Sequence, residues 1–272
     1  MKADKAADHA PWSAWIAQRG ALLPVLVVSA TCGWAQANGV TVSPVVIEMD
    51  SPRRAVAVTI TNDNDVAIRL QSAGLVWLQQ GGRDRYEPTD DVMVVPAIVE
   101  VPAHSSQLFR VALRKPSTSP VERSYRVLLE DISDVPPASD KSGTAGAAIT
   151  LRFNHNLALM VAPAAKPIQA IRWTPCSLAT SGTAAAPPAT PAADQTCVRV
   201  LNAGNRRMKV KTLTISGDGW QQTLGIKDGI NLLAGADREW TLPVKAGQVN
   251  TVRSLQVETF TGQVLQGEAD AL

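Results

Sequence analysis

The sequence predicts an all-β protein built as two sandwich domains, and three observations carry that expectation. Short runs rich in Val, Ile, Thr and Leu recur at roughly 8–12-residue spacing, bounded by Gly, Pro, Asn or Asp. No stretch sustains a 3.6-residue apolar period, so little helix is expected. The chain has 272 residues, enough for two ordinary domains after an N-terminal leader is subtracted.

Residues 1–37 read as a secretory signal peptide. Lys2, Lys5 and Arg19 precede an apolar run from Gly20 to Ala35, and Ala35-Gln36-Ala37 forms an A-x-A cleavage pattern. The run is short for a membrane span, which needs about 20 residues; an uncleaved anchor is the alternative. Cys32 follows Thr31 rather than the small Gly or Ala a lipoprotein signal would place there. Export implies the periplasm. The leader removes three of the 26 Lys/Arg and two of the 24 Asp/Glu, so the remaining charge stays nearly balanced. Such a surface offers no field for nucleic acid or anionic lipid. No second apolar run of membrane length follows, so the mature chain is not expected to insert into a membrane.

The strands are expected in order. Val40–Val42 and Val45–Ile47 form an opening strand broken at Ser43-Pro44, where proline marks an edge or a crossing point. Ala55–Ile60 is β-branched and precedes the turn cluster Asn62–Asp65. Ala67–Leu78 carries Trp77 and ends at Gly81-Gly82-Arg83-Asp84, read as a turn. Val92–Val95, Ala97–Val101, Ser106–Leu113, Ser124–Asp131 and Ile149–Val161 follow. Pro163 and Pro167 bracket a short stiff linker, which divides the chain into domains 38–163 and 164–272. Strands at Ile168–Trp173, Val198–Asn202, Met208–Ser216, Arg238–Val244 and Thr251–Thr259 complete the second domain. Ser133–Ala148 and Ser177–Gln195, rich in small residues and proline, are expected to be loops.

Cys176 and Cys197 are an even pair in an exported chain, which favours a disulfide. The bond would close a loop of about 20 residues and contribute about 3 kcal/mol. The rival is a metal site, but His104 and His155 stand at no ligand spacing to the cysteines, so no metal is expected.

Ile149–Val161 is the most informative stretch. Ile149, Leu151, Phe153, Leu157, Leu159 and Val161 share one face, with His155 the polar exception; Thr150, Arg152, Asn154 and Asn156 occupy the other. This alternation is long beside the usual strand of about 5–6 residues. It fits an ordinary core strand, or a strand that outruns its domain and presents an edge to a partner.

In order and spacing these segments resemble the periplasmic pilus-assembly chaperones of the chaperone–usher system. Ser43-Pro44 in the first strand, Val76-Trp77, Pro96-Ala97 and Val101-Pro102 before Leu108-Phe109-Arg110 are similar to that family's first half. So are Arg123–Asp131, then Leu151-Arg152-Phe153 before Leu157-Ala158-Leu159. Asn202-Ala203-Gly204-Asn205 is similar to a turn early in its second domain. The resemblance implies a PapD-like pair of immunoglobulin-like sandwiches, and partners in pilus subunits and an outer-membrane usher. It implies that Ile149, Leu151, Phe153, His155 and Leu157 are donated into a subunit's groove, and that the free chain can self-associate through the same edge.

The family's usual cations for the subunit carboxylate fall here on Val46 and Asn156, neither of which is charged. The chain therefore looks more like the archaic branch that serves spore-coat-U-type subunits. Arg110, Arg126 and Arg152 are the candidate anchors, with Arg110 and Arg126 favoured; each could equally be a solvated surface arginine.

Catalysis finds few players. His104 lies in a turn beside Ser105 and Ser106 without a nucleophile elbow, and Asp90-Asp91 and Glu130-Asp131 point to opposite faces of their strands. No Gly-rich phosphate loop is present, so neither enzyme activity nor a cofactor is expected. Trp77, Trp173, Trp220 and Trp240 are read as core residues rather than a sugar platform. The competing reading is a secreted immunoglobulin-like surface subunit or binding module. A subunit should carry an N-terminal donor extension and a single sandwich.

Overall fold

The computed structural model describes residues 39–134, 152–176, 195–245 and 251–270. The leader, residues 135–148 and 177–194 of the two expected loops, Ile149 and Leu151 lie outside the described residues; Gln195, expected in the second loop, opens a strand. Strands and turns account for the regular structure among the described residues, as the absence of helical periodicity implies.

The first half contains β1 (Val40–Ser43), β2 (Val46–Met49), β3 (Ala55–Asn62), β4 (Ile68–Gln80), β5 (Arg83–Pro88) and β6 (Val92–Val95). It continues with β7 (Ile98–Val101), β8 (Ser105–Leu113), β9 (Arg123–Asp131) and β10 (His155–Val161). One sheet runs β1-β3-β8-β6; the other runs β2-β10-β9-β4-β5, with β7 on β4. The opening strand changes sheets at Ser43-Pro44: β1 pairs with β3, and β2 pairs parallel to β10. Alternate residues face inward, so Val58, Ile60, Phe109 and Val111 from one sheet meet Tyr125, Val127, Leu129, Leu157 and Leu159 from the other.

The second half contains β11 (Ile171–Cys176), β12 (Gln195–Asn202), β13 (Met208–Gly217), β14 (Trp220–Leu232), β15 (Asp237–Pro243), β16 (Ser254–Thr259), β17 (Val264–Gln266) and β18 (Glu268–Ala269). Its sheets are β15-β12-β11-β18 and β14-β13-β16-β17. Trp173, Val198, Val200, Trp240 and Leu242 pack on Val210, Leu213, Ile215, Leu255 and Val257. Trp77, Trp173 and Trp240 are buried, as expected of core tryptophans. Cys176 and Cys197 face each other at the ends of β11 and β12 and are joined in a disulfide, with their Cα atoms 5.0 Å apart.

Three local expectations change. Arg83 and Asp84 belong to β5; Gly81 and Gly82 alone, with φ of 55° and 73°, make the turn. β14 is a full strand that the sequence does not announce, because its alternation is weak and broken by Gly225 and Asp228-Gly229. The ladder of β10 begins at His155, not further upstream. At the position before it, the Asn154 side-chain oxygen accepts from the Asp131 backbone N–H at 3.3 Å, so a side chain caps the pairing there.

Candidate functional site

The site is built around the edge of β10. On one side β10 pairs with β9 along its whole length, from His155↔Leu129 to Val161↔Arg123. On the other side β2 covers only Ala158–Val161. His155, Asn156 and Leu157 therefore have one neighbouring strand among the described residues. Where β2 starts, Val45 and Val46 are exposed, and upstream of β10 Phe153 is 54% exposed. An unpaired strand edge flanked by large apolar side chains is a template for another strand.

Side-chain direction follows from the pleat. Leu157, Leu159 and Val161 point into the first core. On the opposite face, Ala158 and Met160 are buried with Trp77 against the second hydrophobic core. The lower half of β10 is consequently fixed on both faces, and the upper half opens outward. His155 has the parity of Leu157; it is half-buried, and its Nε2 is shielded from water without a hydrogen-bond partner. Burial holds its pKa below the ordinary imidazole value.

The three arginines occupy different places. Arg126, on β9, points away from the first core because Tyr125 and Val127 point in. Its guanidinium lies 3.8 Å from the centroid of the Trp77 ring and 5.6 Å from that of Tyr86. Its Nη1 donates to the Asn156 carbonyl at 3.3 Å, and its Nε is buried without a partner. Burial raises the Tyr86 pKa. Arg126 thus stands beside the open edge, oriented by two aromatic rings. Arg110 sits on β8 between Phe109 and Val111, so it faces outward from the opposite sheet and cannot share a carboxylate with Arg126. Arg152 is exposed and donates to the Ser133 carbonyl at 2.6 Å.

No local pattern announces the polar clasp that bridges the two halves near this edge. Glu122, whose side chain is 1% exposed, receives Arg207 at 2.9 Å through Nη1 and 3.0 Å through the backbone N–H. Arg207 also reaches Glu48 at 2.8 Å, and holds the Glu48 carboxyl below its ordinary pKa. Gln79 does for β4 what a strand would do. Its Nε2 donates to the Asn231 carbonyl at 2.8 Å, and its Oε1 accepts from the Leu233 N–H at 2.9 Å. Asn205 ties the linker to the first half, accepting from Ile168 N–H and donating to Pro120 and Lys166 carbonyls. Long-range pairs of this kind leave no local pattern in a sequence.

Residues 39–167 match the family model described as the pili and flagellar-assembly chaperone, PapD N-terminal domain. No curated protein matches the chain by sequence. Solved structures share the fold. The CsuC–CsuE chaperone–tip adhesion subunit pre-assembly complex from archaic Csu pili of Acinetobacter baumannii matches with a TM-score of 0.60 at 13% identity. That match covers 86% of this chain and 100% of the other. The class 5 fimbriae chaperone CfaA matches with a TM-score of 0.58 at 12% identity, over 86% and 100% of the two chains. The Escherichia coli chaperone DraB matches with a TM-score of 0.50 at 17% identity, over 86% and 97%. With the sheet order, the strand that changes sheets and the matched segment agreeing, residues 39–167 are the PapD-type N-terminal domain of a pili and flagellar-assembly chaperone.

Proposed function

We propose that this chaperone acts in the periplasm by lending the open edge of β10 to an unfinished pilus subunit and delivering that subunit to an outer-membrane usher. On this reading residues 1–37 are the export signal, and the working chain comprises domains 38–163 and 164–272. A subunit lacking its last strand exposes backbone N–H and C=O groups along a groove. The free side of His155–Leu157 offers the complementary row of backbone groups, while Phe153 and His155 enter successive pockets, preceded by Leu151 and Ile149; Leu157, expected from the sequence to be donated as well, is instead enclosed in the first core and lends only its backbone. The observation that carries this is the late start of β2: the protein leaves one side of a central strand unpaired next to exposed Phe153. The activity is binding, with no catalytic step assigned to any residue.

Arg126 is the carboxylate anchor in this reading. Its guanidinium is held against Trp77 and Tyr86 with Nε unspent, and it adjoins the strand that the subunit would pair with. Arg152, four residues before Asn156, is the secondary candidate. Arg110 belongs to a different surface. The test is periplasmic co-expression with pilus subunits and recovery of 1:1 complexes. Phe153→Asp and Arg126→Ala should each lower recovery at least tenfold, and Arg110→Ala should leave it unchanged. Unchanged recovery with Phe153→Asp would overturn the donor edge. Loss with Arg110→Ala but not Arg126→Ala would overturn the anchor.

A further inference from the structure

The inner face of β10 changes character at one position. Val161, Leu159 and Leu157 are apolar and buried in the first core, and Phe153 is an apolar residue turned to solvent. Between them His155 keeps the same parity, so its imidazole stands where the enclosed part of the strand gives way to the open part. The ring is half-buried and its Nε2 is inaccessible to water, yet no group among the described residues satisfies it. Buried polar atoms in folded proteins almost always have a partner, so an unsatisfied one at a docking edge asks for one from outside.

We infer that His155 is a specificity-determining residue: it selects pilus subunits whose groove presents a polar group within hydrogen-bond reach of Nε2, at the pocket next to the one filled by Phe153, just before the strand becomes enclosed at Leu157. This rests on the donor-edge reading above. An apolar pocket at that place would bury the imidazole nitrogen unpaired in the complex, and would disfavour capture. A polar pocket would satisfy it, and would in turn be left unpaired by an apolar donor residue. Discrimination by such mismatches is larger than that from a missing methylene, because each unpaired buried group carries its full desolvation cost.

The test uses the full chain co-expressed with individual pilus subunits of the source bacterium, beginning with one that the wild-type chain recovers as a 1:1 complex. His155→Leu should lower recovery of that subunit about tenfold or more. His155→Gln, whose terminal amide reaches the place of Nε2, should hold recovery within about threefold of wild type, whereas His155→Asn, which reaches only the place of Nδ1, should not. In the free chaperone the sign reverses. His155→Leu removes an unsatisfied polar atom, so its Tm should equal or exceed that of wild type. Equal or improved recovery with His155→Leu overturns the inference, as does failure of His155→Gln to rescue. If the wild-type chain recovers no subunit, or if Phe153→Asp leaves recovery intact, it is the donor-edge reading that fails.

Discussion

Asn62 and Asn202 do the same work in the two halves of the molecule. Each is wholly buried, each opens a turn, and each donates its amide N–H groups to backbone carbonyls. Asn62 donates to Val66, Val101 and Pro102 and accepts from the Asn64 N–H; Asn202 donates to Arg206 and Leu232 and accepts from the Gly204 N–H. Asn62→Ala would leave several buried groups unpaired and should cost about 2–3 kcal/mol in denaturant unfolding. Gly204 is confined for another reason: a Cβ there would stand 2.4 Å from the Ile168 carbonyl oxygen. Glu48 carries a pH dependence. Its pKa is lowered chiefly by the hydrogen bond from Arg207. The native state therefore holds the proton less tightly than the unfolded chain does. The stabilisation is complete above the ordinary value of 4.5 and is lost as pH falls through the lowered one. Glu48→Gln should flatten the acid limb of a stability–pH curve. Both asparagines lie in clusters legible as turns, but their burial is not legible, because turn asparagines usually face water. Nothing near Glu48 in sequence names Arg207 as its partner.

At the scale of the element, legibility follows the contrast between faces. β3, β8 and β9 alternate cleanly between core and solvent, and the sequence places each within a residue or two. β14 alternates between weakly apolar and polar residues at a sheet edge, so its period was too faint to read. β10 is legible as a strand, but its apolar alternation does not show where pairing starts, because the Asn154 side chain caps the ladder there. Its second buried face, Ala158 and Met160, is intelligible only once the other half of the molecule is in place. The disulfide was legible from cysteine count and compartment. It joins β11 to β12 across 21 positions of sequence. Cys176→Ser with Cys197→Ser should lower unfolding free energy by about 3 kcal/mol, and reduction of the wild-type chain should reproduce that loss.

The whole molecule is two sandwiches joined by a seam with an apolar centre and polar ends. Trp77, Ala158 and Met160 fill the centre; Gln79 and the Glu48–Arg207–Glu122 bridge close the ends. Arg207→Ala should cost about 2 kcal/mol, more than any exposed ion pair here, because the buried Glu122 carboxylate loses its hydrogen-bonded guanidinium at 2.9 Å and keeps only the more distant Arg206 Nε at 3.5 Å. It should also broaden the distribution of interdomain angles in small-angle scattering; an unaltered profile and stability would show that the bridge is ornamental. The two-domain plan was legible from strand count, two prolines and length. The seam was not, since its members come from positions 48, 77, 79, 122, 158, 160 and 207 and meet only in three dimensions.

The opening strand leaves one sheet at Ser43-Pro44 and joins the other at Val46. That crossing works as a ruler. Every residue by which the chain delays it adds a rung to the berth beside β10, and every residue by which it hastens it takes one away. On the donor-edge reading, the reach of a guest strand is thereby set by a proline near the start of the fold, far in sequence from the rungs being counted.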